Sequence, residues 1–142
     1  MIIGIGTDIL QLPRLVAAYE RTQGRLAKRI LGEQELIVFG QRLARNQRRG
    51  MAYLATRFAA KEAFSKAIGL GMHTPMTWRS VETLNEASGK PILHYTGLLA
   101  HWMAERKWQA QVTVSDEQGN HHILFITNGN LRLPFTLCHP IC

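Results

Sequence analysis

Long apolar runs are missing from this chain. No stretch approaches the roughly 18 consecutive apolar residues of a membrane-spanning helix, so nothing in the sequence reads as a membrane anchor. The opening MIIGIGTDIL lacks a basic n-region, a long apolar h-region and a small-residue cleavage site. An export signal is therefore not expected, and the reading is an unprocessed cytoplasmic protein. Cysteine is nearly absent: there are 2, Cys138 and Cys142, with no His or Asp at a zinc-finger spacing beside them. A reducing compartment leaves them as thiols. Acids are scarce too, 10 against 17 Lys and Arg, for a net charge of +7.

That charge is unevenly placed, since the stretch from Arg14 to Lys66 holds twelve of the seventeen cations and four acids. The partner expected from it is acidic. Nucleic acid is one such partner, but the basic stretch carries no recognisable binding motif and few aromatics on which bases could stack. A solvated basic face is the plainer alternative. The histidines are scattered: His73, His94, His101 and His139 read as surface or filler, and His121 and His122 flank a turn rather than a metal. At 142 residues with 46% hydrophobic composition, one domain with its own core is expected.

Patterning divides the chain into a mixed set of elements. A buried strand over 2–7 is followed by a helix near 12–22, a short helical segment at 24–30 and a helix at 33–45. Residues 45–50 read as a basic linker into a long helix over 51–68, whose end at Gly69 has the form of a C-cap glycine. Strands are predicted at 78–84 and 91–95, joined by the turn-rich 85–90 as a hairpin. A helix over 98–107 precedes strands at 111–115 and 122–127, with Gly119-Asn120 as their turn.

The run from Tyr53 to Gly71, YLATRFAAKEAFSKAIGLG, is the most informative segment. Leu54, Phe58, Ala59, Ala63, Phe64 and Ala67 fall at helical spacing and predict an amphipathic helix. Glu62 and Lys66 then share a face, and Arg57 and Lys61 form a second i,i+4 pair partly round it. An ordinary surface ion pair between Glu62 and Lys66 is one reading, worth about 0.3–0.5 kcal/mol. The first strand meanwhile delivers Asp8, which serves equally well to cap the helix entered at Pro13, as does Gln11, or to hold a metal.

Taken together, GIGTD with Arg14, RILGEQE at 29–35, RFAAKEAFSKAIG with its following glycine, SGKP at 88–91 and VTVSDE at 112–117 closely resemble the holo-acyl-carrier-protein synthase family of phosphopantetheinyl transferases. The resemblance covers about residues 1–127. It implies an α+β fold with an antiparallel sheet packed against a long central helix, and an active site at a subunit interface of a homotrimer. It also implies transfer of the 4′-phosphopantetheine arm of coenzyme A to a serine of apo acyl carrier protein, in support of fatty acid biosynthesis. The by-product is adenosine 3′,5′-bisphosphate.

By the same resemblance Asp8 and Glu62 match metal ligands. Magnesium suits them, because it takes one or two carboxylates and completes its shell with phosphate oxygens and water. A water on the metal, or Glu62 through one, takes the serine proton. Lys66 stabilises charge on the pyrophosphate, so Asp8, Glu62 and Lys66 are the catalytic set. Arg48, Arg49, Arg57, Lys66, Gly69, Gly71, Ser88, Gly89, Lys90 and Pro91 match positions that bind coenzyme A. Arg14, Arg21, Arg25 and Lys28 match the surface that docks the acidic carrier; the three arginines lie along one side if the helix continues through Gly24.

Three departures stand out. Ser115-Asp116-Glu117 replaces a common Ser-His pattern, and Gly69-Leu70-Gly71 lacks a polar middle residue. Residues 128–142 resemble nothing in the family and form an atypical tail on the 1–127 domain. An inactive or repurposed basic binding module on the same fold is the alternative function, with nucleic-acid binding weaker still; no nucleic-acid or membrane partner is expected.

Overall fold

The computed structural model describes residues 2–114 and 121–128. Its elements run β1 (Ile2–Ile9), α1 (Leu12–Arg21), α2 (Arg25–Ile30), α3 (Glu33–Arg45), α4 (Gln47–Ala67), β2 (Val81–Asn85), β3 (Pro91–Tyr95), α5 (Gly97–Arg106), β4 (Trp108–Val114) and β5 (His121–Asn128). Strands β1, β5 and β4 make an antiparallel sheet in that order, and β2 and β3 form a separate antiparallel hairpin. The expected single sheet is thus two, both beside the central α4.

Helix α4 organises the molecule. Asn46 starts it by accepting a hydrogen bond from Arg49 N at 3.3 Å, which satisfies one of the first-turn donors. Beyond Ile68 the chain turns left-handed at Gly69, φ 80°, the position where glycine ends helices without steric cost. Between these ends α4 is buried on nearly every side, not amphipathic as its apolar stripe suggested. Two cores meet on it: one with Ala63, Phe64, Val81, Leu99 and Met103, the other with Leu15, Ile30, Phe39, Tyr53 and Leu54.

Two glycines bring β1 onto this helix. A Cβ on Gly4 would collide with the carbonyl oxygen of Ala67, and one on Gly6 with that of Ala63. Only glycine permits so close an approach. Strand and helix backbones therefore touch, and the residues just beyond, Thr7 and Asp8, lie against the last turns of α4.

Several boundaries differ from expectation. The basic stretch 45–50 is not a linker: α3 ends at Arg45 and α4 begins at Gln47, so Arg48 and Arg49 lie in its first turn. Gly50 makes the tight junction possible, because a Cβ there would meet Leu43 of α3 at 2.8 Å. Strand β2 starts at Val81 rather than Trp78, since Ser80 folds back on Thr77, accepting from its amide at 2.9 Å and donating to its carbonyl at 2.8 Å. The helix of 12–22 does not continue through Gly24; Gln23 and Gly24 have φ 53° and 81°, and α2 restarts at Arg25. The motif at 115–117, the turn at 119–120 and the tail from 129 lie outside the described residues.

Candidate active site

Asp8 is inside β1 rather than at its end, because the strand runs on to Ile9. Its carboxylate does not cap α1, whose N-cap is Gln11 with no side-chain cap bond. It instead accepts a hydrogen bond from Lys66 Nζ at 3.1 Å, with side-chain exposures of 18% and 53% for the two partners. Lys66 also reaches the Thr7 carbonyl at 3.5 Å. Among the described residues the ion pair of Lys66 is thus across to the strand, not along the helix to Glu62.

Glu62 completes the group. Burial raises its pKa above the ordinary carboxylate value, the like charge of Asp8 raises it further, and the Lys66 ammonium partly lowers it. Both carboxylates and the ammonium therefore share one electrostatic neighbourhood, assembled from β1 and α4. The two acids repel each other there, and a hard divalent cation with oxygen ligands would relieve that repulsion. Asp8 and Glu62 fit such an ion. Among the described residues no cluster of three or more His, Cys, Asp or Glu offers a site held by protein alone.

The expected nucleotide residues fall into distinct settings. Arg57 is buried, with 7% exposure, and its guanidinium donates to the Thr83 carbonyl at 3.2 Å, Thr56 Oγ1 at 3.2 Å and Asn85 Oδ1 at 3.4 Å. It also lies 4.3 Å above the Tyr53 ring. Its donors tie α4 to β2 because that is where the acceptors are. Arg48 and Arg49 are exposed at the start of α4. Ser88, Gly89 and Lys90 form the hairpin turn, closed by Gly89 N to Glu86 O at 2.8 Å and Glu86 N to Lys90 O at 2.9 Å, and Pro91 opens β3. Gly69 and Gly71, φ 80° and 60°, follow α4, and Gly71 N bonds the Ser65 carbonyl at 3.1 Å.

Arg14, Arg21, Arg25 and Lys28 are exposed on α1 and α2. The break at Gly24 divides them between two helices, so no continuous helical face carries them. Among the described residues the sequence reading missed one charged group entirely, the buried Glu35, Lys61 and Glu82. Its signals were present: Lys61 falls in the stripe of Leu54 and Phe58 at i+3 and i+4 spacing, and Glu35 stands three residues after Gly32, where a capping acid reaches back.

The chain matches the model of the 4′-phosphopantetheinyl transferase superfamily over residues 4–126. It is 72% identical over 118 residues to the holo-[acyl-carrier-protein] synthase of Polynucleobacter asymbioticus, covering 83% of this chain and 91% of that protein. The enzyme of the same name from Burkholderia vietnamiensis is 62% identical over 117 residues, covering 82% of this chain and 81% of its own. The crystal structure of the Neisseria meningitidis synthase superposes with a TM-score of 0.77 at 36% identity, covering 89% and 97% of the two chains. That of Bacillus anthracis, in complex with CoA (3′,5′-ADP), gives 0.68 at 30% identity, covering 89% and 95%. With the two carboxylates and the lysine of the sequence motifs gathered where β1 meets α4, this chain belongs to the 4′-phosphopantetheinyl transferase superfamily and, within it, to the holo-[acyl-carrier-protein] synthases.

Proposed function

We propose that this chain transfers the 4′-phosphopantetheine arm of coenzyme A to a serine of apo acyl carrier protein at the group formed by Asp8, Glu62 and Lys66. The observation that carries the reading is the convergence of Asp8 with Lys66, 3.1 Å apart, and with Glu62, whose proton affinity Asp8 raises. The serine oxygen attacks the β-phosphorus, the bond from that phosphorus to the bridging oxygen breaks, and adenosine 3′,5′-bisphosphate leaves with the electron pair. Charge grows on the leaving pyrophosphate oxygens as it does so.

Lys66 is exposed enough to turn from Asp8 to those oxygens, where an ammonium stabilises charge that develops in the transition state. Glu62, which stands in reach of the same charged group, is suited to receive the serine proton through a water. Asp8 and Glu62 would hold Mg2+. When bound, that ion supplies Lewis-acid neutralisation of the pyrophosphate.

Arg48 and Arg49, exposed at a helix N-terminus with no acid in its first turn, suit the phosphates of coenzyme A. The loop of Gly69 and Gly71 and the Ser88–Pro91 turn form the remainder of the proposed nucleotide surface. Arg57 supports that surface from beneath by holding Thr83 and Asn85 at the base of the hairpin. The exposed cations Arg14, Arg21, Arg25 and Lys28 suit an acidic carrier protein. Ile5 and Ile9, exposed on β1, suit burial in a homotrimer. No helix among the described residues is long and apolar enough to cross a membrane.

Incubation with coenzyme A, Mg2+ and apo acyl carrier protein tests the reading through the carrier's intact mass. A gain of one phosphopantetheine arm, abolished by a chelator and restored by added Mg2+, is expected. An unchanged carrier mass with folded protein would refute transfer, and equal conversion with and without chelator would refute the metal.

A further inference from the structure

Helix α4 carries a second ion pair whose character is opposite to that of the first. Lys61 adjoins Glu62 in sequence, but its side chain leaves the helix about 100° round and enters the space between α3 and β2. All three ammonium protons are used there: Nζ donates to Glu35 Oε1 at 2.6 Å, to the Trp78 carbonyl at 2.7 Å and to the Val81 carbonyl at 2.8 Å. Glu35 is equally committed, Oε1 accepting also from Gly32 N at 3.0 Å and Oε2 from Thr83 N at 3.0 Å. Glu82 Oε2 closes the start of α3, accepting from Gln34 N at 2.9 Å and Glu35 N at 3.0 Å.

Among the described residues the flank of α4 that faces β1 is held by an ion pair of a different kind, the partly exposed Lys66–Asp8. There it rests on β1 through Gly4 and Gly6, which allow close approach but present no side chains to interdigitate with the helix. A buried ammonium with three fixed acceptors adds directional restraint on α4 to that of the Arg57 donors on Thr83 and Asn85.

We infer that the Glu35–Lys61 pair is a positioning device for transfer: by fixing the rotation and height of α4 against α3 and β2, it sets where Glu62 and Lys66 stand relative to Asp8. The inference rests on the reading of Asp8, Glu62 and Lys66 as the transfer site. Lys61 and Glu35 are positioning residues, since both are fully buried and neither faces that site. An apolar or neutral replacement of a buried ion pair commonly keeps a protein folded. What it does not replace is direction, and small misplacements of reacting groups cost rate steeply.

The test is the double variant Glu35→Gln/Lys61→Met, which leaves neither charge of the pair behind and keeps one acceptor oxygen, for either Gly32 N or Thr83 N. Steady-state kinetics with coenzyme A and apo acyl carrier protein are read beside the thermal midpoint. The expected result is a midpoint near wild type, KM for coenzyme A within about twofold, and kcat lowered about tenfold. Wild-type kcat in the folded double variant would overturn the inference. Should that variant not fold, Glu35→Gln alone is assayed well below its midpoint; reduced kcat at unchanged KM supports the device and wild-type kcat refutes it. Glu62→Gln is run in parallel. If it turns over at the wild-type rate, the site reading fails and the inference with it, whereas loss there with full activity in the double variant refutes positioning alone.

Discussion

Two ion pairs on one helix, five residues apart, show how differently the same chemistry is used. Lys66 and Asp8 meet at 3.1 Å with 53% and 18% of their side chains exposed; Lys61 and Glu35 meet at 2.6 Å with 1% and 0%. The exposed pair is weakly held, because water competes for both partners and the lysine has other rotamers at little cost. The buried pair has no such freedom. Burial presses the Lys61 ammonium below its ordinary pKa, and Glu35, with Glu82 more weakly, draws it back up. On the proposed reading, the charge that meets a ligand is left at the surface, and the charge that holds the frame is sealed inside and saturated with partners.

Breaking one half of the buried pair is the severest test of that contrast. Lys61→Met leaves the buried Glu35 carboxyl without its counter-charge, a loss of about 3–5 kcal/mol. Urea unfolding is expected to show a much lower midpoint with little change in slope. Breaking the exposed pair is expected to act on chemistry instead. Lys66→Ala should lower kcat about 10²–10³-fold, the usual effect of removing a transition-state charge partner, and leave the urea midpoint within about 0.5 kcal/mol of wild type.

The reason the residues of one pair were singled out in the sequence and those of the other were not is physical. Asp8, Glu62 and Lys66 stand in short motifs whose resemblance to the family, not their spacing, singled them out. The i,i+4 geometry puts Glu62 and Lys66 on one face, but the partner Lys66 takes is Asp8, on a strand that spacing does not bring near. Lys61 and Arg57 have the same helical spacing, and nothing local distinguishes them from solvated cations. Their burial is decided by acceptors far along the chain, Glu35 for one and Thr83 for the other. Residues 45–50 misled for a related reason: a run of arginines with Asn46 and Gly50 has the composition of a linker, yet Asn46 caps a helix and Gly50 makes room for Leu43. Gly24 was the reverse case, since its cost within a helix is local and its break is visible directly.

The glycine contact that joins the two regions gives an intermediate effect. Gly6→Ala forces a methyl against the Ala63 carbonyl, so β1 must move away from α4. Overpacking of this kind costs about 1–3 kcal/mol, and because Asp8 moves with the strand, kcat should fall together with the thermal midpoint. A variant with wild-type stability and activity would show that the approach is not tight.

Smaller effects follow from charge. Glu62 has a raised pKa in the folded state, so its contribution to stability is fully present below the ordinary carboxylate value and is lost as pH rises through the raised one. In chelator at neutral pH, Glu62→Gln is therefore expected to melt no lower than wild type, and slightly higher, while being inactive. A lower midpoint would mean that the carboxylate is stabilised rather than strained where it stands. Arg21→Glu and Arg25→Glu should raise KM for the carrier several-fold at low salt and leave KM for coenzyme A unchanged, with the difference from wild type shrinking as salt rises.

The most direct test compares the wild type, Lys66→Ala and the Glu35→Gln/Lys61→Met double variant at equal folded concentration, reading the rate at which apo acyl carrier protein gains the phosphopantetheine mass. The account predicts fast conversion by the wild type, conversion about tenfold slower by the double variant, and the slowest by Lys66→Ala, whose fold is intact. Conversion by Lys66→Ala at the wild-type rate would contradict it, because the exposed ammonium beside Asp8 would then have no part in the transfer.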